Sequence, residues 1–381
     1  MKLVILTEII SPYRIPVFNA LAQRPGIDLH VIFLAETDPT LRQWQVAKEQ
    51  IRFSYEVLPS WRRRFRGRNL LLNWGLKAAL EQAAPEAIIC GGYNYLASWQ
   101  CQQWARRRGV RFLGWVESTQ RDQRRGHLLI EFLKCRFIGR CNGFLVPGKS
   151  SFEYIRTFGV PDGRIFTAPN AVDVDFFAAR AEEVRGRAAS ARQELALPGR
   201  YFLYAGRLVP IKGVFDLLEA YKGLPADLRR EIGMVFVGDG AARAELQQQA
   251  ASVSPGAVQF AGFAQREQLA AYYALAEALI FPTHSDPWGL VVNEAMACTL
   301  PVVCSSAAGC AEDLVREGWN GYLVSPGDVA RLSAVMAELA GHQDQRVGMG
   351  QHSRERIRQY SPEACAAGLA EAALMSGGRG V

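Results

Sequence analysis

Short apolar runs alternate with helical patterns along the whole chain, and this alternation constrains the fold more than any other feature. In the first half, strands are predicted at KLVILTE, DLHVIFLAE, AIICGG and RFLGWVE. The alternation restarts at RYFLYAGRL and continues through GMVFVGDG, VQFAGF, ALIFPT, PVVCSS and GYLVSP. Strands that alternate with helices build a parallel sheet covered on both faces. The sequence therefore predicts an α/β fold with two doubly wound, Rossmann-like domains facing across a cleft.

The length of 381 residues also suggests two domains of ordinary size. Between the two series of strands lies IFTAPNAVDVDFF, in which Pro169 and Asn170 interrupt the pattern. We therefore place the boundary between a first domain, 1–169, and a second domain at residue 170. Ligands of such sheets bind beyond the carboxyl ends of the strands.

Charge is distributed unevenly between the two halves. The net charge is +7, but residues 1–169 carry +12 and residues 170–381 carry −5. The basic half contains the runs SWRRRFRGRNLLLNWGLKAAL (60–80), RRRGVR (106–111) and RDQRR (121–125). Arginine interleaved with Trp, Phe and Leu is typical of proteins that bind an anionic membrane surface, and equally of a solvated basic face. Nucleic acid is not expected as a partner, because no recognition motif accompanies the charge.

The N-terminal segment and the cysteines indicate the compartment. MKLVILTEII lacks the small-residue cleavage site of a signal peptide and is predicted to be a first buried strand. No apolar run reaches the length of about 18 residues that a transmembrane helix needs. The eight cysteines form no C-x-x-C pair, which favours reduced thiols. We expect a cytoplasmic protein, at the inner face of the cell membrane if the basic half binds lipid.

Two cations follow the first strand of the second series. In AGRLVPIKG, Gly206 ends a strand, Arg207 follows it, and Lys212 lies at the start of the next helix. A planar guanidinium and a compact ammonium beside a helix start suit an anion. Taken alone, this pattern is common on protein surfaces. The turn FVGDG lacks a complete G-x-G-x-x-G, and Gly238 is expected to serve tight backbone geometry.

The segment HSDPWGLVVNEAMA carries two acids around a predicted helix start. Asp286 lies in the turn, Gly289 and Leu290 begin the helix, and Glu294 lies in its first turns. If the loops converge at one edge of the sheet, Arg207 and Lys212 would neutralise a diphosphate that the helix start binds. Glu294 would then accept hydrogen bonds from ribose hydroxyls, with Asp286 near the group attached to the diphosphate.

These segments together resemble glycosyltransferase family 4, whose fold is GT-B. The resemblance rests on AGRLVPIKG, FVGDG, VQFAGF, DPWGLVVNEAMACTLPVV, AAGCAEDLV and NGYLVSPGD, and covers about 170–375 strongly and the earlier part more weakly. It implies retaining transfer of a sugar from a nucleotide donor that the second domain binds. PNAVDVDFF resembles the family's linker, and YSPEACAAGLAEAAL resembles its final helix, which crosses back to the first domain. The resemblance therefore implies a second domain at 170–357 and a last, crossing segment at 358–381.

The chain departs from the family pattern in three places. The first acid of the acid-x7-acid motif is Asp286 where the family usually has Glu, which leaves the donor sugar open. The loop EIISPYRIPVF is not Gly-rich, and it either directs Arg14 toward the cleft or caps the following helix. Where many relatives have His, this chain has Glu117 followed by Ser118. Glu117 would orient the acceptor hydroxyl or act as its base, unless its role is structural.

The resemblance and the residue pattern together define the expected site. Catalytic roles are expected for Arg207, Lys212, Asp286 and Glu117. Acceptor contacts are expected from Arg14, Glu117 and Ser118. Donor contacts are expected from Gly206, Arg207, Lys212, Gly238, Phe263, Asp286, Trp288, Gly289, Leu290, Val291 and Glu294. No metal or other cofactor is expected, since the DVD at 173–175 lies in the linker.

The expected substrates are a nucleotide-diphosphate sugar and a lipid-linked saccharide or oligosaccharide acceptor, as in surface polysaccharide assembly. Two alternatives remain open. One is a nucleotide-sugar epimerase of the same fold. The other is a non-catalytic nucleotide-sugar-binding component of a glycan assembly complex, which the altered first acid would suit.

Overall fold

The computed structural model describes residues 1–38, 46–65, 68–122 and 128–375. The chain divides into two compact units, one made of Met1–Ala171 with the segment that begins at Pro362, the other of Val172–Ser361. These divisions fall beside the boundaries at 169/170 and 357/358 expected from the sequence. Residues 123–125 of the basic run RDQRR, residues 66–67 of the run 60–80, and the end of the last segment beyond 375 lie outside the described residues.

The first unit is built on a parallel sheet. Its described strands are β1 (Lys2–Thr7), β2 (Asp28–Phe33), β3 (Ser54–Val57), β4 (Ser60–Phe65), β5 (Arg68–Asn73), β6 (Ala87–Cys90), β7 (Arg111–Trp115), β8 (Gly143–Val146) and β9 (Ile165–Thr167). The order in the sheet is β3-β2-β1-β6-β7-β8-β9, while β4 and β5 pair separately as an antiparallel hairpin. The order reverses between β1 and β6, which makes that point the expected ligand edge.

Helices cover both faces of this sheet. They are α1 (Arg14–Ala22), α2 (Leu76–Ala83), α3 (Leu96–Arg108), α4 (Leu128–Ile138) and α5 (Lys149–Arg156). Side chains of β1 alternate between two apolar clusters: Leu3 and Ile5 join the cluster that contains α1, and Val4 and Leu6 join the one that contains α2 and α3. Both faces are buried, so the strand sequence is apolar throughout instead of alternating with polar residues.

The second unit repeats the design. Its strands are β10 (Tyr201–Ala205), β11 (Gly233–Val237), β12 (Val258–Gly262), β13 (Ala278–Phe281), β14 (Val302–Ser305) and β15 (Gly321–Val324), in the parallel order β12-β11-β10-β13-β14-β15. Its helices are α6 (Val174–Gly186), α7 (Ala188–Glu194), α8 (Val214–Lys222), α9 (Ala226–Glu231), α10 (Arg243–Ala250), α11 (Arg266–Leu275), α12 (Leu290–Ala297), α13 (Ala311–Leu314), α14 (Val329–Gly341) and α15 (Gln343–Ile357). This strand order is that of nucleotide-binding doubly wound sheets, and it reverses between β10 and β13.

The final helix, α16 (Pro362–Met375), belongs to the first unit. Its buried residues Cys365, Ala366, Leu369 and Ala373 join the apolar cluster formed by β1 and α1. Small side chains along this helix allow its backbone to lie close to the core it covers.

The predicted α/β class with two doubly wound units is confirmed, and each strand predicted from the sequence is present. The hairpin β4–β5 and the strands β3, β8 and β9 go beyond the prediction. The hairpin departs from the usual pattern of apolar inward and polar outward side chains, because Arg62 faces inward, where it pairs with Asp38 and Glu8. Among the described helices, none combines the length and the apolar character that crossing a bilayer requires.

Candidate functional site

The candidate site lies at the carboxyl edge of the second unit's sheet, where the strand order reverses. The loop after β10 begins with Gly206 and Arg207, and the loop after β13 contains Asp286. Because β10 and β13 are parallel neighbours, both loops leave the sheet at the same edge. The loops after β11 and β14 leave at this edge too, because β11 runs parallel to β10 and β14 runs parallel to β13. Ligands of such sheets bind at this edge.

Glycines allow neighbouring loops of this edge to approach closely. At Gly238, whose φ is +135°, a Cβ would lie 1.9 Å from the carbonyl oxygen of Gly206. Backbone hydrogen bonds join the same loops, from Gly206 N to Val237 O (2.9 Å) and from Leu208 N to Asp239 O (2.9 Å). Gly238 is therefore needed for close backbone packing between the two loops. The same contact fixes the position of the backbone from which the Arg207 side chain extends.

Lys212 and Asp286 form an ion pair at this edge. The Lys212 ammonium donates to the Asp286 carboxylate at 2.6 Å and to the Ser285 carbonyl at 2.8 Å. The lysine side chain is only 9% exposed and the aspartate side chain 21%. A hydrogen-bonded pair in such a position is strongly oriented, and removing one partner leaves the other charge partly buried and unpaired.

The other oxygen of Asp286 is also engaged. It accepts a hydrogen bond from the backbone N–H of Trp288 at 3.1 Å, which closes the turn before α12. The carbonyl of Asp286 accepts from Gly309 N at 2.9 Å, so this turn is joined to the loop after β14. The Trp288 indole is buried and donates to Asn293 Oδ1 at 2.9 Å, which anchors the turn to the helix.

Arg207 is exposed, in contrast to Lys212. Its backbone carbonyl accepts from the hydroxyl of Tyr204 at 2.8 Å. Burial, together with the nearby Asp286 carboxylate, holds the pKa of Tyr204 far above its ordinary value, so this hydroxyl stays a donor. The backbone of Arg207 is therefore fixed while its guanidinium reaches solvent at the edge.

The start of α12 is shaped by Gly289. This residue has φ of +99°, and a Cβ there would lie 2.7 Å from the Phe281 ring. Leu290 and Val291, the first two residues of α12, are only partly buried. The first N–H groups of a helix lack partners within the helix and carry the positive end of its dipole. An anion can therefore be bound there.

Glu294 and Phe263 differ sharply in exposure. Glu294 is completely buried in α12 and accepts a hydrogen bond from the Tyr273 hydroxyl at 2.7 Å. Phe263 follows β12 directly and is 43% exposed. The donor-site residues predicted from the sequence thus lie in loops and helices at one edge of the second unit's sheet, but they are not equally accessible.

The carboxyl edge of the first unit holds its own charged cluster. The Arg14 guanidinium pairs with Glu117, donates to Asn170 Oδ1 at 3.1 Å, and lies 4.0 Å above the Trp115 ring. Arg14 is the first residue of α1, with its side chain directed at Glu117. The Glu117 side chain is 42% exposed. Arg14 and Glu117, two of the residues predicted to bind the acceptor, are therefore in direct contact.

Ser118, the third predicted acceptor residue, lies next to Glu117 and near the Tyr93 side chain. The roles of Tyr93, Tyr273 and Asn170 were missed in the sequence. Nothing in the local sequence marked these roles: Tyr93 and Asn170 lie in loops that follow strands, and Tyr273 lies within α11. In the described part of the chain, no three His, Cys, Asp or Glu side chains are grouped so that they could hold a metal ion.

Comparison with protein families gives two matches, which follow one another along the chain. Residues 18–176 match the model of Glycosyltransferase Family 4, and residues 187–356 match that of Glycosyl transferases group 1. The O-antigen chain mannosyltransferase B of Escherichia coli is 28% identical over 218 residues, which are 57% of this chain and 56% of the relative. The D-inositol 3-phosphate glycosyltransferase of Thermomonospora curvata is 32% identical over 199 residues, 49% of this chain and 46% of the relative. The chain thus spans about half the length of the curated relatives it matches.

Solved structures support the fold over nearly the whole chain. Anabaena HepE in complex with UDP and glucose superposes with a TM-score of 0.74 at 18% identity, covering 97% of this chain and 99% of HepE. A glycosyltransferase from Rickettsia africae gives a TM-score of 0.77 at 12% identity, covering 99% of both chains. With these matches and two doubly wound units, the chain belongs to the family 4-like glycosyltransferases of the GT-B fold.

Proposed function

We propose that the chain transfers a sugar from a nucleotide-diphosphate sugar to a saccharide acceptor, with retention of configuration at the transferred carbon. The observation that carries this proposal is the edge of the second unit, where Arg207 and the start of α12 offer positive charge beside the pair Lys212–Asp286. Breaking the bond to the diphosphate places negative charge on the leaving oxygen. Fixed cations and N–H dipoles stabilise that charge in the transition state.

The donor binds along this edge. Arg207, with its exposed guanidinium, and the N–H groups of Leu290 and Val291 bind the diphosphate. Phe263 is exposed after β12, where its ring can stack on the base. Glu294 binds the ribose hydroxyls after a local shift that exposes its carboxylate, which is bonded to Tyr273 in this structure.

Asp286 contacts the donor sugar while it holds Lys212. A carboxylate has about four acceptor positions, so a sugar hydroxyl can bind beside the two hydrogen bonds already present. The side chain is one methylene shorter than the glutamate usual in the family. The hydroxyl it reaches must therefore lie closer to the turn, which makes this position a determinant of the donor sugar.

The acceptor binds at the edge of the first unit. Glu117 accepts the hydrogen bond of the acceptor hydroxyl and orients it, with Ser118 beside it. Arg14 holds the Glu117 carboxylate in place and is itself fixed by Asn170 and Trp115. A paired carboxylate of this kind is positioned without being enclosed, which suits a group that must meet a second substrate.

The acceptor is lipid-linked and the chain binds a membrane surface. Support comes from the hairpin β4–β5, whose outward side chains include Trp61, Leu70 and the cationic Arg63. Trp74, which follows the hairpin, is 56% exposed and Trp61 is 44% exposed. Exposed indoles beside arginine suit the headgroup region of an anionic bilayer.

Sedimentation with phosphatidylglycerol vesicles tests the membrane part. The unmodified chain should sediment with the vesicles at low salt, and the Trp61→Ser/Trp74→Ser variant should lose about tenfold in vesicle affinity. Leu96→Ser removes another exposed apolar side chain of the same unit and serves as the control. Equal retention of both variants would show that the hairpin does not mediate binding.

A transfer assay tests the reaction. The protein is incubated with UDP-, GDP-, dTDP- and ADP-sugars and a panel of lipid-linked and free saccharides, and the product linkage is assigned by NMR. An axial donor bond should give an axial product bond. An inverted product would contradict the proposal. An epimerised donor without acceptor would favour the epimerase, and binding of a donor with neither transfer nor hydrolysis would favour the non-catalytic component.

A further inference from the structure

A polar pocket lies at the amino edge of the first unit's sheet, the edge opposite to Arg14 and Glu117. It has a volume of about 530 Å³ and lies where α3 and α4 end and β7 begins. Its walls include Gln102, Arg106, Arg111, Gly139, Arg140 and Asn142. The five residues of β7 separate this edge from Glu117 by roughly 16 Å. The pocket is therefore separate from the proposed acceptor site.

The arginines of this pocket lack acidic partners. In the described part of the chain, neither Arg106 nor Arg140 is paired with a carboxylate, whereas the neighbouring Arg108 contacts Glu81 at 3.1 Å. The pKa of Arg140 lies below its ordinary value, because of desolvation and then repulsion by Arg136 and Arg106. Repulsion among these like charges raises the free energy of the pocket, and a bound anion would relieve that repulsion.

Polar groups around the arginines are held in place. The Asn142 side-chain oxygen accepts from Phe112 N at 2.8 Å, which fixes the orientation of its amide group. Gln102 is buried and donates to the Phe137 carbonyl at 2.9 Å. By contrast, the Arg111 guanidinium lies 3.4 Å from the Leu374 carbonyl, so it adds charge to the region without donating into the pocket.

We propose that this pocket binds a phosphate-bearing ligand through Arg106 and Arg140. Two guanidinium groups match the oxygen geometry of a phosphate and stay charged at any physiological pH. The phosphate belongs to a lipid headgroup or to a soluble phosphorylated molecule. The helix α4, which ends at the pocket, exposes Phe132 and Leu133 a turn before Arg136, so both sources are tested.

Arginines at the carboxyl ends of helices can also serve only to stabilise the negative end of the helix dipole. In that case their replacement would lower the melting temperature and leave pyrophosphate binding unchanged. The test compares Arg106→Gln/Arg140→Gln with the control Arg107→Gln/Arg24→Gln, which changes the charge of the first unit equally at exposed positions outside the pocket. Every protein also carries Arg207→Gln, so that binding at the donor edge is weakened. Calorimetry measures inorganic pyrophosphate affinity, and sedimentation measures binding to phosphatidylglycerol and phosphatidylcholine vesicles.

The pocket variant should bind pyrophosphate about tenfold or more weakly than the control, because each lost guanidinium removes charged hydrogen bonds. If the pocket variant also binds phosphatidylglycerol vesicles more weakly, with no change on phosphatidylcholine vesicles, the ligand is a lipid headgroup. If it loses pyrophosphate affinity and keeps its vesicle binding, the ligand is a soluble phosphorylated molecule. Equal pyrophosphate affinity in the two variants overturns the proposal, whatever their melting temperatures. Because binding is measured without turnover, failure here leaves the proposed transferase activity untouched.

Discussion

The carboxyl edges of the two sheets each pair a cation with a carboxylate, but the two pairs are built differently. In the second unit, Lys212 is nearly buried and Asp286 is engaged through both oxygens. In the first unit, Glu117 is much more exposed, and Arg14 is held from behind by Asn170 and Trp115. The pair in the second unit suits the stabilisation of charge at a fixed place. The pair in the first unit suits contact with a variable substrate.

This contrast predicts its largest effect at Lys212. Lys212→Met should lower transfer by about 10³-fold, because it removes a fixed cation from the developing charge. It should also destabilise the second unit by about 1–3 kcal/mol, since Asp286 loses its partner. Steady-state kinetics and urea unfolding measure the two effects.

The control for this variant is Lys222→Met, which removes a lysine paired with Glu219 at the far end of α8. It should retain nearly full activity. If Lys212→Met kept activity close to that of the control, the buried pair would be a structural feature of the second unit.

Arg207 should matter for activity without mattering for stability. Arg207→Gln should reduce kcat/KM for the donor by about 10²-fold. Because the side chain is exposed, the melting temperature should change little. Arg230→Gln, another exposed arginine of the same unit, is the matched control. A large fall in melting temperature for Arg207→Gln would mean that the guanidinium supports the loop instead of the donor.

The first-unit pair should respond more mildly. Glu117→Gln should lower kcat/KM for the acceptor by about tenfold and leave donor binding unchanged, as expected for loss of one charged hydrogen bond. Glu153→Gln removes a carboxylate paired with Arg156 on the surface of the same unit and provides the comparison. A loss of 10³-fold with a changed pH profile would assign Glu117 the role of general base instead.

The arrangement of the second unit's edge was more predictable than that of the first unit's edge, where the residues were named but not their pairing. Arg207, Lys212 and Asp286 lie in loops whose glycines are needed for close backbone contacts, as between Gly206 and Gly238. Such contacts tie the loop sequence to its geometry. The pairing of Arg14 with Glu117 joins residues more than 100 positions apart, and no local pattern signals it. The burial of Glu294 was also hidden, because it depends on Tyr273 from another helix.

The smallest expected effect concerns the reactivity of the cysteines in the cores of the two units. Seven cysteines are buried and Cys135 is exposed. Burial raises the pKa of Cys90 and of Cys365 to about 12, so their thiolate fraction at pH 8 is negligible. Iodoacetamide at pH 8 should therefore modify Cys135 alone, as read by mass spectrometry, with Cys135→Ser as the unreactive control.

The same reagent can reveal an opening of the second unit. Cys310 is buried, and its sulfur lies near Gly289 at the start of α12. Labelling of Cys310 in the native chain would show that this edge opens on the timescale of the reaction with iodoacetamide. The local shift that exposes Glu294 is expected only when a donor binds, so labelling without a donor would contradict a second-unit edge that stays closed in the free chain.

The most direct test of the account is the thermal stability of the purified chain with UDP-, GDP-, dTDP- and ADP-sugars beside the free nucleotides. A ligand at a hundred times its Kd should stabilise the native state by about 2.7 kcal/mol. We expect one nucleotide class to raise the melting temperature, with the shift lost in Arg207→Gln and kept in Arg230→Gln. No shift with any nucleotide, or an equal shift in both variants, would contradict a diphosphate site at the edge of the second unit.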